Sequence, residues 1–321
     1  MTYPAQGSSE YADEQIAADQ WPLISAFRER GAPSFHWLGV ASARASYEES
    51  CARNGLPPRA DVQVEDLRLT AEEGSGNSAV RARLYRPENS EVPQPTALFF
   101  HGGGWVMGSL DTHDSLCRRL AAEAKTAVLA VDYRLSPEHP HPAPLEDART
   151  ALAWLRENGH RHGLDAENPA VAGDSAGGHI AAALAREDPH IAGQLLLYPV
   201  VSAAADTASY RRLSRGFPLT AATMRWFMDL YTDGCTEPGK AIADLTANPR
   251  PVPTFLCTVG HDPLCDDGIA YAGALARAGA EVRHIHLPQH AHGIFTSAGV
   301  VPTAERVLAH ACAFLRDVVK R

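Results

Sequence analysis

Six residues, Gly173-Asp174-Ser175-Ala176-Gly177-Gly178, limit what this chain can fold into more than any other stretch. Ahead of them, Asn168-Pro169-Ala170-Val171-Ala172 is a short apolar run that reads as a buried strand. Behind them, His179-Ile180-Ala181-Ala182-Ala183-Leu184-Ala185-Arg186 is rich in alanine and reads as a helix. A strand that turns directly into a helix leaves no room for side chains at the turn, so glycine is required at both Gly173 and Gly177. In this G-x-S-x-G pattern the Ser175 hydroxyl stands clear of the sheet. It sits at the helix N-terminus, where backbone N–H groups face outward.

The rest of the chain has a matching rhythm. After Pro95, strands are predicted at 96–100, 127–132, around Val171, and at 194–198, 253–259 and 282–287. Helices are predicted at 115–125, 145–157, after Ser175, and at 267–278 and 303–319. Alternation of this kind means an α/β fold with a mostly parallel central sheet and helices on both faces. Before it, Val62, Val64 and Leu67, then Val80, Ala82, Leu84 and Tyr85, alternate with polar residues. They predict an antiparallel pair at a sheet edge, joined by a turn at 72–77. Two regions break the rhythm. Residues from about 10 to 53 read as irregular helix anchored by Trp21, Leu23, Ile24, Phe27, Phe35, Trp37 and Leu38, an appendage to the sheet. From about 202 to 248, Met224, Trp226, Phe227, Leu230 and Tyr231 suggest amphipathic helix and no strand.

A serine hydroxyl becomes a nucleophile only with a base to take its proton and donors for the oxyanion it creates. Donors are expected from His101-Gly102-Gly103-Gly104-Trp105, which follows the strand at 96–100. Its glycines let bare backbone approach a substrate, so the N–H groups of Gly103 and Gly104 can point at one oxygen, with Ala176 beside the serine as a third. The acid and then the histidine should follow, on loops at the strand ends near the serine. Asp262 lies just past the strand at 253–259, while Asp266 and Asp267 read better as caps of the next helix. Among His284, His286, His290 and His292, the first two fall within the last strand and read as structural. His290 and His292 are both on the loop beyond Pro288; Gly293 after His292 lets that loop turn the imidazole inward. Asp174, next to the serine, reads as a structural hydrogen-bonding group. Trp105, Phe217, Trp226 and Phe227 are candidates for pocket walls or for cap core.

Other chemistries are excluded or disfavoured. The 321 residues carry a net charge of −9 and no basic run, which speaks against nucleic acid and anionic membrane surfaces. The loop has neither a G-K-[ST] ending nor G-x-G-x-x-G, so phosphate binding is set aside. His290-x-His292 and His139-x-His141 lack carboxylate or cysteine partners at familiar spacings, so no metal and no cofactor are expected. The six cysteines are scattered with no C-x-x-C, the start is polar, and the most apolar window contains Gln194, Pro199 and Ser202. A cytoplasmic protein with no secretory signal and no membrane span is therefore expected.

The chain resembles the bacterial branch of the hormone-sensitive-lipase family of esterases, within the α/β-hydrolase fold. The resemblance rests on His101–Ser109, Asp132-Tyr133-Arg134-Leu135-Ser136-Pro137-Glu138, Gly173–Gly178, Tyr198-Pro199, Asp262-Pro263-Leu264 and His292-Gly293. It implies Ser175 as nucleophile, His292 as base, Asp262 as the acid that orients it, and an oxyanion hole of Gly103, Gly104 and Ala176. It implies a cap built from an N-terminal segment, 1–55, and an insertion, 202–248, on a catalytic domain spanning 56–321. The chain departs from the family at His179, where asparagine is usual, at Ile294, which separates His292-Gly293 from Phe295, and at the extra His290. The expected function is hydrolysis of short-to-medium acyl esters of small molecules, with a homodimer through the last strand as in relatives. An amide or N-acetyl hydrolase would use the same triad. A non-catalytic receptor of this family would lack the histidine that His292 supplies.

Overall fold

The computed structural model describes residues 15–31, 33–70, 79–88, 92–213, 215–236, 241–242 and 244–320. Three helices lead: α1 (Trp21–Glu29), α2 (Phe35–Leu38) and α3 (Val40–Asn54). Strands β1 (Val62–Leu69) and β2 (Val80–Pro87) pair antiparallel, with Val62 opposite Pro87 and Leu69 opposite Val80. The turn expected at 72–77 lies outside the described residues. Then come β3 (Thr96–Phe100), α4 (Asp114–Ala124), β4 (Ala127–Asp132), α5 (Ala143–Asn158), β5 (Ala170–Asp174), α6 (Ala176–Glu187) and β6 (Gln194–Leu197). After α7 (Ala208–Arg212) and α8 (Ala221–Tyr231), the alternation resumes with β7 (Thr254–His261), α9 (Cys265–Arg277), β8 (Val282–Ala291) and α10 (Pro302–Val318).

The eight strands form one sheet in the order β1-β2-β4-β3-β5-β6-β7-β8, parallel from β4 to β8. Central strands covered on both faces are apolar over most of their length, and β3, β5 and β6 are buried at every residue, with polar side chains only at their ends, Thr96, Asp174 and Gln194. Alternate side chains serve opposite faces. Leu98, Phe100, Val171 and Leu196 join a core under α5, α6 and α9, while Ala97, Phe99, Ala172 and Leu195 join one under α4 and α10.

Two local differences from expectation have physical causes. β8 runs four residues past 287, to Ala291, because β7 continues to His261 and pairs with it beyond a bulge in which residues 288–290 of β8 face Gly260. Helix α9 starts at Cys265 with Leu264 at its N-cap, so Asp266 and Asp267 lie in the first turn and do not cap it. The Asp266 carboxylate instead accepts the Ser209 N–H at 2.8 Å, tying α7 to the start of α9. Among the described residues, 202–248 contains no strand, as expected. Its helix α8 is capped by Thr220, whose hydroxyl accepts the Thr223 N–H. The two irregular regions meet each other: His36 Nδ1 lies 3.1 Å from Thr223 Oγ1, and Arg28 donates to Gly216 O at 3.0 Å. Among the described residues no helix is long and apolar enough to cross a membrane.

Candidate active site

β5 ends at Asp174 and α6 begins at Ala176, so Ser175 alone makes the turn, with φ 54° and ψ −118°. An L-residue held there carries strain of about 1–3 kcal/mol, which surrounding bonds must fix. Its N–H donates to Leu197 O at 2.9 Å and its carbonyl accepts the Val200 N–H at 3.0 Å. The flanking glycines are demanded by contact: a Cβ on Gly177 would lie 2.0 Å from Phe100 O, and one on Gly173 would lie 2.4 Å from Gly177 O.

Loops from the last two strands bring the other groups to this turn. Ser175 Oγ lies 3.0 Å from His292 Nε2, and His292 Nδ1 lies 2.6 Å from Asp262 Oδ2. A carboxylate accepts only, so the proton between them sits on Nδ1, and Nε2 turns its lone pair toward the serine hydroxyl. Asp262 is fully buried, and its second oxygen accepts the Leu264 N–H at 2.9 Å, which fixes the carboxylate plane. Tyr198 backs the imidazole, with ring centroids 4.2 Å apart. His290 faces away: its Nε2 lies 3.1 Å from Asp19 Oδ1. His284 and His286 both bond Thr258 Oγ1 at 2.9 Å, on the sheet.

The glycine loop is held from below by Asp174. Its Oδ1 lies 2.8 Å from Gly102 N and 3.0 Å from His113 Nε2. Burial alone would raise this carboxyl, but His113, His292 and the Gly102 N–H outweigh it and hold the group below its ordinary value. The carbonyl of Gly103 accepts from Val106 N and Met107 N at 3.1 and 2.9 Å, closing a tight turn. Among the described residues, the N–H groups of Gly103 and Gly104 have no acceptor. Both glycines line the cavity that holds Ser175 and His292. Ala176 is the first residue of α6, where an N–H has no acceptor in its own helix.

Residues 97–296 match the family described as alpha/beta hydrolase fold. The chain belongs to the α/β-hydrolase family. It is 39% identical over 282 residues to the esterase LipI of Mycobacterium tuberculosis, covering 82% of this chain and 84% of that one. It is 34% identical over 306 residues to an ethyl acetate hydrolase of Pseudomonas putida, covering 89% and 93%. The crystal structure of a thermostable esterase from Pseudomonas putida superposes with a TM-score of 0.88 at 28% identity, covering 98% of this chain and 99% of that one. Within the family, the chain is of the hormone-sensitive-lipase-like kind, as its motifs suggested.

In this α/β-hydrolase the cavity over Ser175 has a volume of about 120 Å³, small beside the roughly 300–1,000 Å³ of drug-sized pockets. Its apolar wall comes from Phe35, Met107, Leu219 and Phe227. A second cavity of about 350 Å³ shares Phe35, Ser50, Pro218, His292, Gly293 and Ser297 with it and opens under α1 and α3. Of the four candidate aromatic walls, only Phe227 lines the small cavity. Its ring occupies the space a Cβ on Gly104 would take, at 2.3 Å. Trp105 is stacked on Tyr231 (4.4 Å), Phe217 on His261 (5.2 Å), and Trp226 packs on Phe227 (5.0 Å). Sequence reasoning missed two supports. His113 gave no signal beyond being a histidine at the start of a helix. Arg44 of α3 donates to Val106 O at 2.8 Å and Ser136 O at 3.0 Å and pairs with Glu138, pulling that carboxyl down to about 2. Among the described residues no three or more His, Cys, Asp or Glu side chains gather as a metal site.

Proposed function

We propose that this α/β-hydrolase cleaves carboxylic esters with short acyl groups through an acyl-enzyme on Ser175. The observation that carries the reading is the chain of contacts from Ser175 Oγ to His292 (3.0 Å) to Asp262 (2.6 Å), opening into one small cavity. Ser175 Oγ attacks the ester carbonyl carbon while His292 Nε2 takes its proton. Asp262 keeps the imidazole in the required tautomer and stabilises its charged form. The N–H groups of Gly103, Gly104 and Ala176 receive the oxyanion. The tetrahedral adduct collapses, the C–O bond to the alcohol breaks, and His292 returns the proton to the departing oxygen. Water then attacks the acyl-serine with the same assistance, releasing the acid and restoring the hydroxyl. Residues 1–55 and 202–248 act as the cap on a catalytic domain of 56–321, a reading supported by Phe35, Leu219 and Phe227 in the cavity wall. Six unpaired cysteines support action in the reducing cytoplasm. Short acyl groups are favoured by the cavity volume and by the likeness to an ethyl acetate hydrolase.

The test is Ser175→Ala. It should lower kcat on p-nitrophenyl acetate by about 10⁶-fold with an unchanged circular dichroism spectrum, while wild type is labelled at Ser175 by a fluorophosphonate. Across acyl lengths, acetate and butyrate should outrun decanoate. Retained activity in Ser175→Ala sinks the mechanism, and a preference for long chains sinks the acyl assignment.

A further inference from the structure

The three residues just ahead of His292 are each held by the segment that leads into α1. Gln289 O accepts the Ala17 N–H at 2.8 Å. His290 Nε2 meets Asp19 Oδ1 at 3.1 Å, while the other Asp19 oxygen accepts the Thr303 N–H at 2.9 Å. Ala291 is gripped most closely. Its N–H donates to Gln20 Oε1 at 2.7 Å, and its carbonyl accepts from Gln20 Nε2 at 3.2 Å. A primary amide that both accepts from and donates to one residue's backbone does what a neighbouring strand does. It does so where the sheet needs help, because β8 is the edge strand and its pairing with β7 is interrupted by the bulge just before the His261–Ala291 pair. Beyond His292 the chain turns at Gly293, with φ 90°, whose carbonyl accepts from Thr296 Oγ1 at 3.1 Å, so the hold on the near side of the imidazole falls to Gln20. Gln20 is 3% exposed, at the wall of the larger cavity, and Ala291 is fully buried.

We propose that Gln20 is a positioning residue for His292, setting through the Ala291 backbone the distance from the imidazole to Ser175 Oγ. This rests on His292 acting as the base in the function proposed above. A displacement of about 1 Å in a reacting group is enough to cost 100-fold in rate. Gln20→Ala should therefore lower kcat on p-nitrophenyl acetate by about 10- to 100-fold with KM changed less than twofold. The fluorophosphonate reaction of Ser175 should slow in parallel and still reach one label per chain. Gln20→Glu keeps the size and makes the effect titratable. A protonated carboxyl can still accept from Ala291 N–H and donate to Ala291 O, whereas a carboxylate faces that carbonyl with no proton. The ratio of its kcat to that of wild type should fall as pH rises through the carboxyl range, while the Gln20→Ala ratio stays level. A purely structural role would lower the melting temperature and leave both ratios near one at 25 °C. That result, or a loss carried by KM alone, overturns the proposal; if Gln20→Ala does not fold, Gln20→Glu decides. If Ser175→Ala keeps its activity, the failure belongs to the function and not to Gln20.

Discussion

At the scale of the residue, identical side-chain types have been given different work by their surroundings. Asp174 and Asp262 are both buried at the ends of parallel strands, one against the glycine loop and the other against an imidazole. Removing the charge of Asp262 should be felt in the chemistry. Asp262→Asn presents an amide to His292 Nδ1, favours the wrong tautomer, and should lower kcat by about 10⁴-fold with little change in KM, as read by steady-state kinetics. Removing Asp174 should be felt in the loop. Asp174→Ala takes the close acceptor from the buried Gly102 N–H, leaving only His113 Nε2 at 3.4 Å, a loss of about 1–3 kcal/mol seen as a lower urea midpoint. The same loosening should slow oxyanion formation, so its kcat should fall while Ser175 remains open to fluorophosphonate. The histidines divide in the same way. His292 reaches Ser175, His290 reaches Asp19, and His284 with His286 shares one threonine hydroxyl.

At the scale of the element, the turn from β5 to α6 is where local preference and tertiary contact oppose each other. Alanine in place of a helical glycine ordinarily gains about 1 kcal/mol. At Gly177 the new Cβ would press on Phe100 O at 2.0 Å, forcing α6 away from β3. Contact should win: Gly177→Ala is expected to lose about 3 kcal/mol by chemical denaturation and most of its esterase activity. Helix α3 works on the site from the other side. Arg44 ties it to Val106 O and Ser136 O, so the N-terminal segment grips the glycine loop as well as the strand ahead of His292. An appendage held this way belongs to the framework of the proposed active site. The sequence pattern located α3 by its place before the first strand, but its low amphipathic character concealed which face would matter.

At the scale of the whole molecule, two buried histidines, His101 and His179, set an acid limit. Burial, helped by His113, pushes the His101 imidazole down to about 4. Burial, with His141 and Arg186 adding to it, pushes His179 down to about 3. A histidine kept neutral in the fold contributes its full stability above the unfolded value near 6.5 and loses it as pH falls toward the folded value. Between pH 6.5 and 4 each should cost up to about 3 kcal/mol. Asp267 opposes this in part: burial, with Asp266 and other carboxylates near it, raises it to about 6, so it disfavours the fold as pH rises from its unfolded value. Asp132, also raised by burial, adds to that opposition, while His36, His141, His284 and His286, all lowered by burial, add to the fall, so the urea midpoint is expected to drop from pH 6.5 to 4. His179→Asn, which removes one of the two, should flatten that fall; an equal slope in the variant would contradict the assignment.

Much of this protein was legible in its sequence. Runs of apolar residues on a strand-helix rhythm identify a parallel sheet because a strand covered on both faces has no polar side to show. Gly173, Gly177 and the Gly102–Gly104 run announced themselves because close backbone approach admits no other residue. Asp262 and His292 were reachable from chain order and loop position. The partners of those groups were not legible. Ser175 and His292 lie 117 positions apart, and Gln20 and Ala291 lie 271 apart. Nothing in a glutamine before a helix, or in a histidine at residue 113, marks it as the holder of a loop elsewhere. Local sequence carries the signals of propensity, burial and tight turns. Which ordinary polar side chain meets which backbone group is decided only when the sheet closes, because a hydrogen bond a few tenths of an ångström from ideal depends on every element between its ends.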